Sequence, residues 1–464
     1  MYFLLPFKFI DIDDKEILVN EVGDYLVVER GTAERIVNRE IQNDGKLFYD
    51  LHANYFISQS RIPKLIDNLA TRYRTKKSFL NDFTSLHIFV MTLRCNQNCE
   101  YCQASSVVCN ESSYDISYED LDHAINLMYQ SPSPSLTMEF QGGEPTLVPE
   151  KLEYAIQKSE ELNLLYNKRM TYVLCTNSIE LNDKILSICK DYQVLISTSL
   201  DGPKEIHDVN RNKEGSYDRV VNGIQKAREA LGFDRVSALM TTSFLSLDYS
   251  KEIVESYIRN GFTNIFIRAL NPYGFAREND WDSYFERFIE FYKEVLDYII
   301  EKNKQGVFFI EDFTALIIRK ILTPFPIGFV DLQSPAGIIN SVIVYNFDGY
   351  VYASDESRML AENGDYTFRL GKISDSYEEI FYGNKAQNIS LSWSTESLTG
   401  CADCAFQGYC GADPVRNYAI QNDMIGFRPT SHFCFKHKEI IKHIFSLLIH
   451  RKDEVLPIFK SWIA

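Results

Sequence analysis

Residues 86–102 read LHIFVMTLRCNQNCEYC. The first seven are nearly all apolar, with no helical period, which is the pattern of a short strand buried on both faces. Immediately behind it, Cys95, Cys99 and Cys102 stand as C-x3-C-x2-C on one tight loop. Three thiolates so placed can each hold one iron of a cubane. Four cysteines are the ordinary complement of a cubane, so the remaining iron keeps an open coordination position. No fourth cysteine follows at a suitable spacing, Cys109 being the nearest. The open iron is where a chelating small molecule binds. A zinc site is the alternative, although zinc sites usually pair cysteines as C-x2-C at each end.

Outward from this loop, strand and helix patterns alternate from about residue 84 to 305. The further strands are LTMEF (136–140), TYVLCTN (171–177), VLISTSL (194–200), RVSALMTT (235–242) and NIFIRAL (264–270). Amphipathic helical stretches lie between them, the first opened by Ser117 and Asp120 in a capping arrangement. Six such units predict an α/β fold, a parallel sheet curved into a partial (β/α)6 barrel with helices outside. Reactive groups then belong at the C-terminal ends of the strands. Strand two ends in EFQGGEP (139–145), strand three in Thr176-Asn177 and strand four in Ser199-Leu200-Asp201-Gly202, with His207 and Arg211 just beyond. Glu139, Asp201 and Glu311 are general-base candidates by position alone.

The flanks differ in texture. Residues 1–80 open with the β-like runs FKFIDI, EILVNEV and DYLVVER, then helical segments near 32–40 and 47–57, and predict a winged-helix-like module. The basic run RYRTKK (72–77) reads as a linker or a solvated helix end. Residues 306–464 lose the alternation, contain a hairpin turning at Asp348-Gly349, and carry Cys401, Cys404, Cys410 and Cys434. Four thiolates suit a fully ligated cluster, with structural zinc as the alternative. Cys109, Cys175 and Cys189 read as small buried hydrophobes.

Composition narrows the function. The 464 residues include 48 Lys+Arg against 64 Asp+Glu, a formal charge of −16. That balance disfavours a nucleic-acid or anionic-membrane partner. No apolar run approaches the roughly 20 residues of a membrane span. The N-terminal stretch lacks the basic start of a secretory signal. A cytoplasmic location is expected, where disulfides are rare and metal binding is the better reading of clustered cysteines.

The C-x3-C-x2-C loop followed by Gly142-Gly143-Glu144-Pro145 resembles the radical S-adenosylmethionine (SAM) superfamily. The resemblance implies a SAM-binding [4Fe-4S] cluster on Cys95, Cys99 and Cys102. It also implies SAM contacts from Tyr101 beside the adenine, from Gly142, Gly143, Glu144 and Pro145, from Asn177 near the ribose, and from Ser199 and Arg211 at the carboxylate. The two glycines would let backbone carbonyls approach the ligand, and the Glu144 carboxylate would accept from the methionine ammonium. CADCAFQGYC with Cys434 resembles part of the SPASM extension. In that pattern Ser334, Ser354 and Pro414 stand where cysteines of a second cluster are expected, so one auxiliary [4Fe-4S] cluster is implied. Stretches such as RYRTKKSFL, STSLDGP, SALMTTS and NPYGFA, with LLPFKF near the start, are similar to the radical SAM maturase of the His-Xaa-Ser repeat peptide system. This implies a precursor peptide bound through a leader segment, modified by a crosslink, epimerisation or oxidation, and a low-potential electron donor such as flavodoxin or ferredoxin. A formylglycine-generating oxidase like the sulfatase maturases, or a catalytically inactive metal-binding peptide scaffold, is the alternative.

Overall fold

The computed structural model describes residues 2–61, 63–277 and 279–464. Its main sheet has eight strands: β1 (Leu86–Thr92), β2 (Ser135–Gly142), β3 (Arg169–Thr176), β4 (Leu195–Ser199), β5 (Val236–Leu239), β6 (Val342–Tyr345), β7 (Tyr350–Tyr352) and β8 (Arg369–Lys372). Their order is β5-β4-β3-β2-β1-β6-β7-β8. β5 through β6 run parallel, and β7 and β8 return antiparallel. The parallel run and the helices between its strands match the α/β barrel expectation.

Alternation along each strand decides what faces inward. On β2, Leu136, Met138 and Phe140 are buried in the core that includes Leu121, Ile125 and Leu152 of the covering helices. The intervening Glu139 and Gln141 look into the barrel, as do Cys175 of β3 and Ser197 and Ser199 of β4. β1 is buried along nearly its whole length because it lies mid-sheet. The helices start where short polar side chains accept orphan amides. Ser117 accepts from Asp120 N at 3.0 Å, Asn182 from Ile185 N at 3.0 Å, and Asp280 from Ser283 N at 3.2 Å.

One expectation is corrected. The sixth barrel strand, expected over 264–270, shrinks to Asn264–Ile265, which pairs with Ile310–Glu311 in a separate two-stranded sheet. It touches the barrel edge through a single bridge, Thr242 to Ala269. Beyond residue 305 the same sheet continues, since β6 pairs with β1, with Val342 opposite Leu86. The hairpin at Asp348-Gly349 forms as expected, with Gly349 at φ 82°.

The N-terminal stretches form an antiparallel meander, Phe7–Ile12, Lys15–Asn20 and Tyr25–Glu29, followed by the helices Thr32–Val37, Lys46–Ala53 and Leu65–Lys76. The run RYRTKK is not a solvated end. Arg72 pairs with Asp24, and Lys77 bonds Glu396 across 319 residues of sequence at 2.5 Å. Among the described residues no helix is long and apolar enough to cross a membrane.

Candidate functional site

Cys95, Cys99 and Cys102 line one cavity of about 240 Å³, and Tyr101, Gly142, Gly143, Asn177, Ser199 and Arg211 line it with them. Local bonds fix the cysteine loop: Cys95 N donates to Val107 O at 2.9 Å and Cys102 N to Cys99 O at 3.2 Å. Arg94, inside the loop, forks onto Asp115 with both bonds at 2.8 Å. Burial pushes the Cys95 thiol up to about 12, with the Glu144 charge adding to it, and burial also raises Cys99.

The two glycines serve the protein before any ligand. Gly143 N donates to Thr92 O and Glu144 N to Arg94 O, both at 2.8 Å, so the turn after β2 lies against the cysteine loop. A Cβ on Gly142 would overlap the Thr92 carbonyl, and one on Gly143 the carbonyls of Leu93 and Arg94. Gly142 also sits at φ 149°, a left-handed conformation that side chains disfavour. Gly143→Ala is therefore expected to push the cysteine loop off its seat. Differential scanning fluorimetry should show a loss of about 1–3 kcal/mol, and iron uptake should fall with it.

Glu144 departs from expectation. It is fully buried, and its carboxylate accepts from Thr146 N (3.1 Å), Thr146 Oγ1 (2.7 Å), Thr176 Oγ1 (2.7 Å) and Asn177 N (2.8 Å). With those donors satisfied it braces the ends of β2 and β3 and does not line the cavity. Pro145 is likewise buried behind it, as the first residue of the short turn Pro145–Leu147. Asn177 does line the cavity, but its amide donates to Asn96 Oδ1 at 2.7 Å and its oxygen accepts from Ile179 N at 3.1 Å.

Asp201 is the hub of the opposite wall. Arg211 Nε and Nη2 reach its two oxygens at 2.8 and 2.9 Å, Tyr101 Oη donates at 2.7 Å and Thr241 N at 3.2 Å. Burial would raise this carboxyl, yet the Arg211 charge and the donated bonds hold it below the usual carboxylate range. It is an anchor and not a free base. Arg211 Nη1 remains, 3.8 Å from Cys99 Sγ. Burial holds His207 down near 4, so it stays neutral at pH 7 and bonds Asp201 N and Ser216 Oγ at 3.3 and 3.2 Å.

The other base candidates separate. Glu311 is buried away from the cavity, where it caps the helix Asp312–Leu322 and accepts from Ile267 N at 3.2 Å and from Tyr292 Oη. Glu139 faces the barrel interior, accepts from Gln141 Nε2 at 2.5 Å, and burial raises its carboxyl. It lines a second, deeper cavity of about 380 Å³ walled by Phe266, Phe288, Phe313 and Phe329. Gln141, Leu239, Arg268 and Asp355 belong to both cavities, which makes them neighbours. Cys175 is not an inert core residue, because it lines the first cavity. Cys109 is only half-buried, and Cys189 packs in the core as expected.

Cys401, Cys404, Cys410 and Cys434, up to 33 residues apart in sequence, line one cavity of about 430 Å³. Cys404 N donates to Cys401 O at 3.0 Å, and buried Phe406 and Tyr409 pin the loop, Tyr409 Oη reaching Gly23 O at 2.8 Å. Cys434 stands in the first turn of the helix His432–His450, its N–H on Ser431 Oγ, and burial raises its thiol. The positions lacking cysteine are occupied by structure. Ser334 Oγ accepts from Thr395 N at 2.9 Å and bonds Glu396, Ser354 caps the helix Asp355–Ala361, and Pro414 opens the helix Pro414–Gln421. Among the described residues no three His, Cys, Asp or Glu side chains gather closely enough to hold a single metal ion.

Sequence reasoning missed Gln141, Asp355 and Arg358 on the cavity wall. The only local trace of the last two is an Asp-x-x-Arg spacing on a short helix, a common surface pairing.

Comparison with known proteins follows the same lines. A model of the radical SAM superfamily matches residues 89–255. The chain is 24% identical over 382 residues to a cysteine-type anaerobic sulfatase-maturating enzyme of Clostridium perfringens, covering 78% of this chain and 96% of that one. The solved structure of native anSMEcpe with bound AdoMet and Kp18Cys peptide superposes with a TM-score of 0.64 at 20% identity, over 80% of this chain and 99% of that one. Streptococcus suis SuiB bound to precursor peptide SuiA superposes at 0.54 with 14% identity, over 94% of this chain and all of the other. Likeness at those identities establishes the fold. With the matched segment beginning inside β1 and running past the Asp201 hub, residues 89–255 are a radical SAM domain and the protein is a radical SAM enzyme.

Proposed function

We propose that this enzyme modifies a ribosomally made precursor peptide. The observation that carries the reading is the single cavity where three thiols meet the ends of β2, β3 and β4, beside an aromatic-walled chamber with which it shares Gln141, Leu239, Arg268 and Asp355. Cys95, Cys99 and Cys102 would hold the SAM-binding [4Fe-4S] cluster, and thiols that surround a space suit several irons better than one ion. Bound there, a reduced cluster with SAM supplies a 5′-deoxyadenosyl radical able to take hydrogen from an unactivated carbon. Tyr101, Ser199 and the backbone of Gly142 and Gly143 are the wall on which SAM would rest, Arg211 is oriented by Asp201, and Glu144 keeps two strand ends in register. The inner chamber would seat the substrate side chain away from water.

The meander and helices of residues 1–80 resemble a winged-helix leader-binding module, and a leader strand would add to an edge of its three-stranded sheet. SuiB, solved with its precursor peptide, supports this reading across nearly the whole chain. Residues 84–305 would be the barrel core and 306–464 a SPASM-like extension whose four cysteines hold one auxiliary [4Fe-4S] cluster, with zinc as the alternative. Iron and sulfide analysis of the Cys95→Ala/Cys99→Ala/Cys102→Ala protein tests this site. About four irons per chain should remain, and zinc alone would refute the cluster.

The match to sulfatase-maturating enzymes favours a second reading, oxidation of a side chain to formylglycine. Anaerobic co-expression with a short peptide encoded beside this chain, followed by mass spectrometry, separates the two. A crosslink or epimer on a leader-bearing peptide supports the first. Loss of two hydrogens from a serine, or replacement of a cysteine's thiol by an aldehyde oxygen, with no crosslink, supports the second. Failure to form 5′-deoxyadenosine from SAM and dithionite would sink both.

A further inference from the structure

The Asp201–Arg211 arrangement occurs twice in the cavity. Arg358, on the helix that Ser354 caps, donates Nε and Nη2 to Asp355 Oδ1 at 3.2 and 2.7 Å. Arg211 likewise spends Nε and Nη2 on Asp201. In both, a carboxylate fixes the guanidinium and leaves Nη1 over. For Arg211 that nitrogen points at Cys99 Sγ. For Arg358 it is buried with no partner, although the residue is only 1% exposed and lines the three-cysteine cavity. An unpartnered buried N–H on a charged group is expensive, so the group calls for an acceptor. Cys102 lines the same cavity as Arg358.

We infer that Arg358, with Arg211, is a charge-compensating residue for the cluster held by Cys95, Cys99 and Cys102, favouring the cluster's reduced form. This rests on the cluster assignment above. Reduction adds a negative charge to a site whose ligands are already anionic. A fixed buried cation opposes that repulsion, and hydrogen bonding and charge at the sulfurs are among the factors that set cluster potentials. Asp355 matters with the opposite sign, since it holds the guanidinium in place and offsets part of its charge.

The test is an EPR-monitored redox titration of anaerobically reconstituted full-length protein, reading only the part of the spectrum that responds to added SAM. Arg358→Met should retain its iron, shift that midpoint to more negative potential and lower the fraction reduced at a fixed potential several-fold. Arg358→Lys should restore most of it. Asp355→Asn, which leaves Arg358 charged and uncompensated, should shift the midpoint the other way and serves where the methionine variant folds poorly. Opposite shifts are not what a merely structural pair would give. An unmoved midpoint in iron-replete Arg358→Met or Asp355→Asn protein overturns the inference. Absence of any SAM-responsive signal in the unsubstituted protein instead overturns the cluster assignment itself.

Discussion

Alanine in place of Cys95, Cys99 or Cys102 is expected to reduce 5′-deoxyadenosine formation to background. Each thiol reaches the cavity from a different point of one loop, so none can substitute for another. Cys175, the remaining cysteine on that wall, sits on β3, outside the cysteine loop. Enzymes accelerate their reactions by about 10⁶-fold or more, so losing the cluster reads as no product by liquid chromatography with mass detection. Iron should fall by about four per chain, with the C-terminal set unaffected because its cysteines line a separate cavity. Product formation at even a tenth of the unsubstituted rate in a single-alanine protein would contradict the site.

Arg211→Leu should be the most destabilising single change at the cavity. Asp201 is fully buried and ionised because a guanidinium grips both its oxygens. Removing one partner of a buried pair leaves an uncompensated charge, at a cost of about 3–5 kcal/mol. The pH dependence carries a sign. With its folded pKa depressed, Asp201 contributes stability present above its unfolded value of about 3.9, lost as pH falls through the folded value. In the leucine variant burial outweighs the bonds that Tyr101 and Thr241 still donate, the folded value rises, and stability declines as pH rises. The gap between the two proteins in urea denaturation should therefore be wide at pH 7 and narrow in acid. An equal gap at both pH values would mean that Asp201 is not held as described.

Much of the site can be read locally. C-x3-C-x2-C behind an apolar strand, GGEP behind the next, and C-x2-C-x5-C near the end are each settled within a few residues, because one turn of backbone fixes where such side chains point. The fold class follows from the same local patterns, since alternation between strand and helix leaves few ways to bury both. What residues 264–270 pair with is not local, and there the sequence pattern overstates the strand.

The roles of the charged residues were decided only by the tertiary structure. Glu144, Asp201 and Glu311 look alike in sequence, as carboxylates at strand ends. Folding gives the first to Thr146, Thr176 and Asn177, the second to Arg211 and Tyr101, and the third to a helix start. Arg358, invisible as a site residue in the chain, reaches the cavity from 256 residues beyond Cys102. A thiol's spacing declares its partner because its ligand bridges near neighbours. A buried carboxylate or guanidinium takes whichever donor or acceptor the fold brings to it across the chain, and no short pattern records that choice.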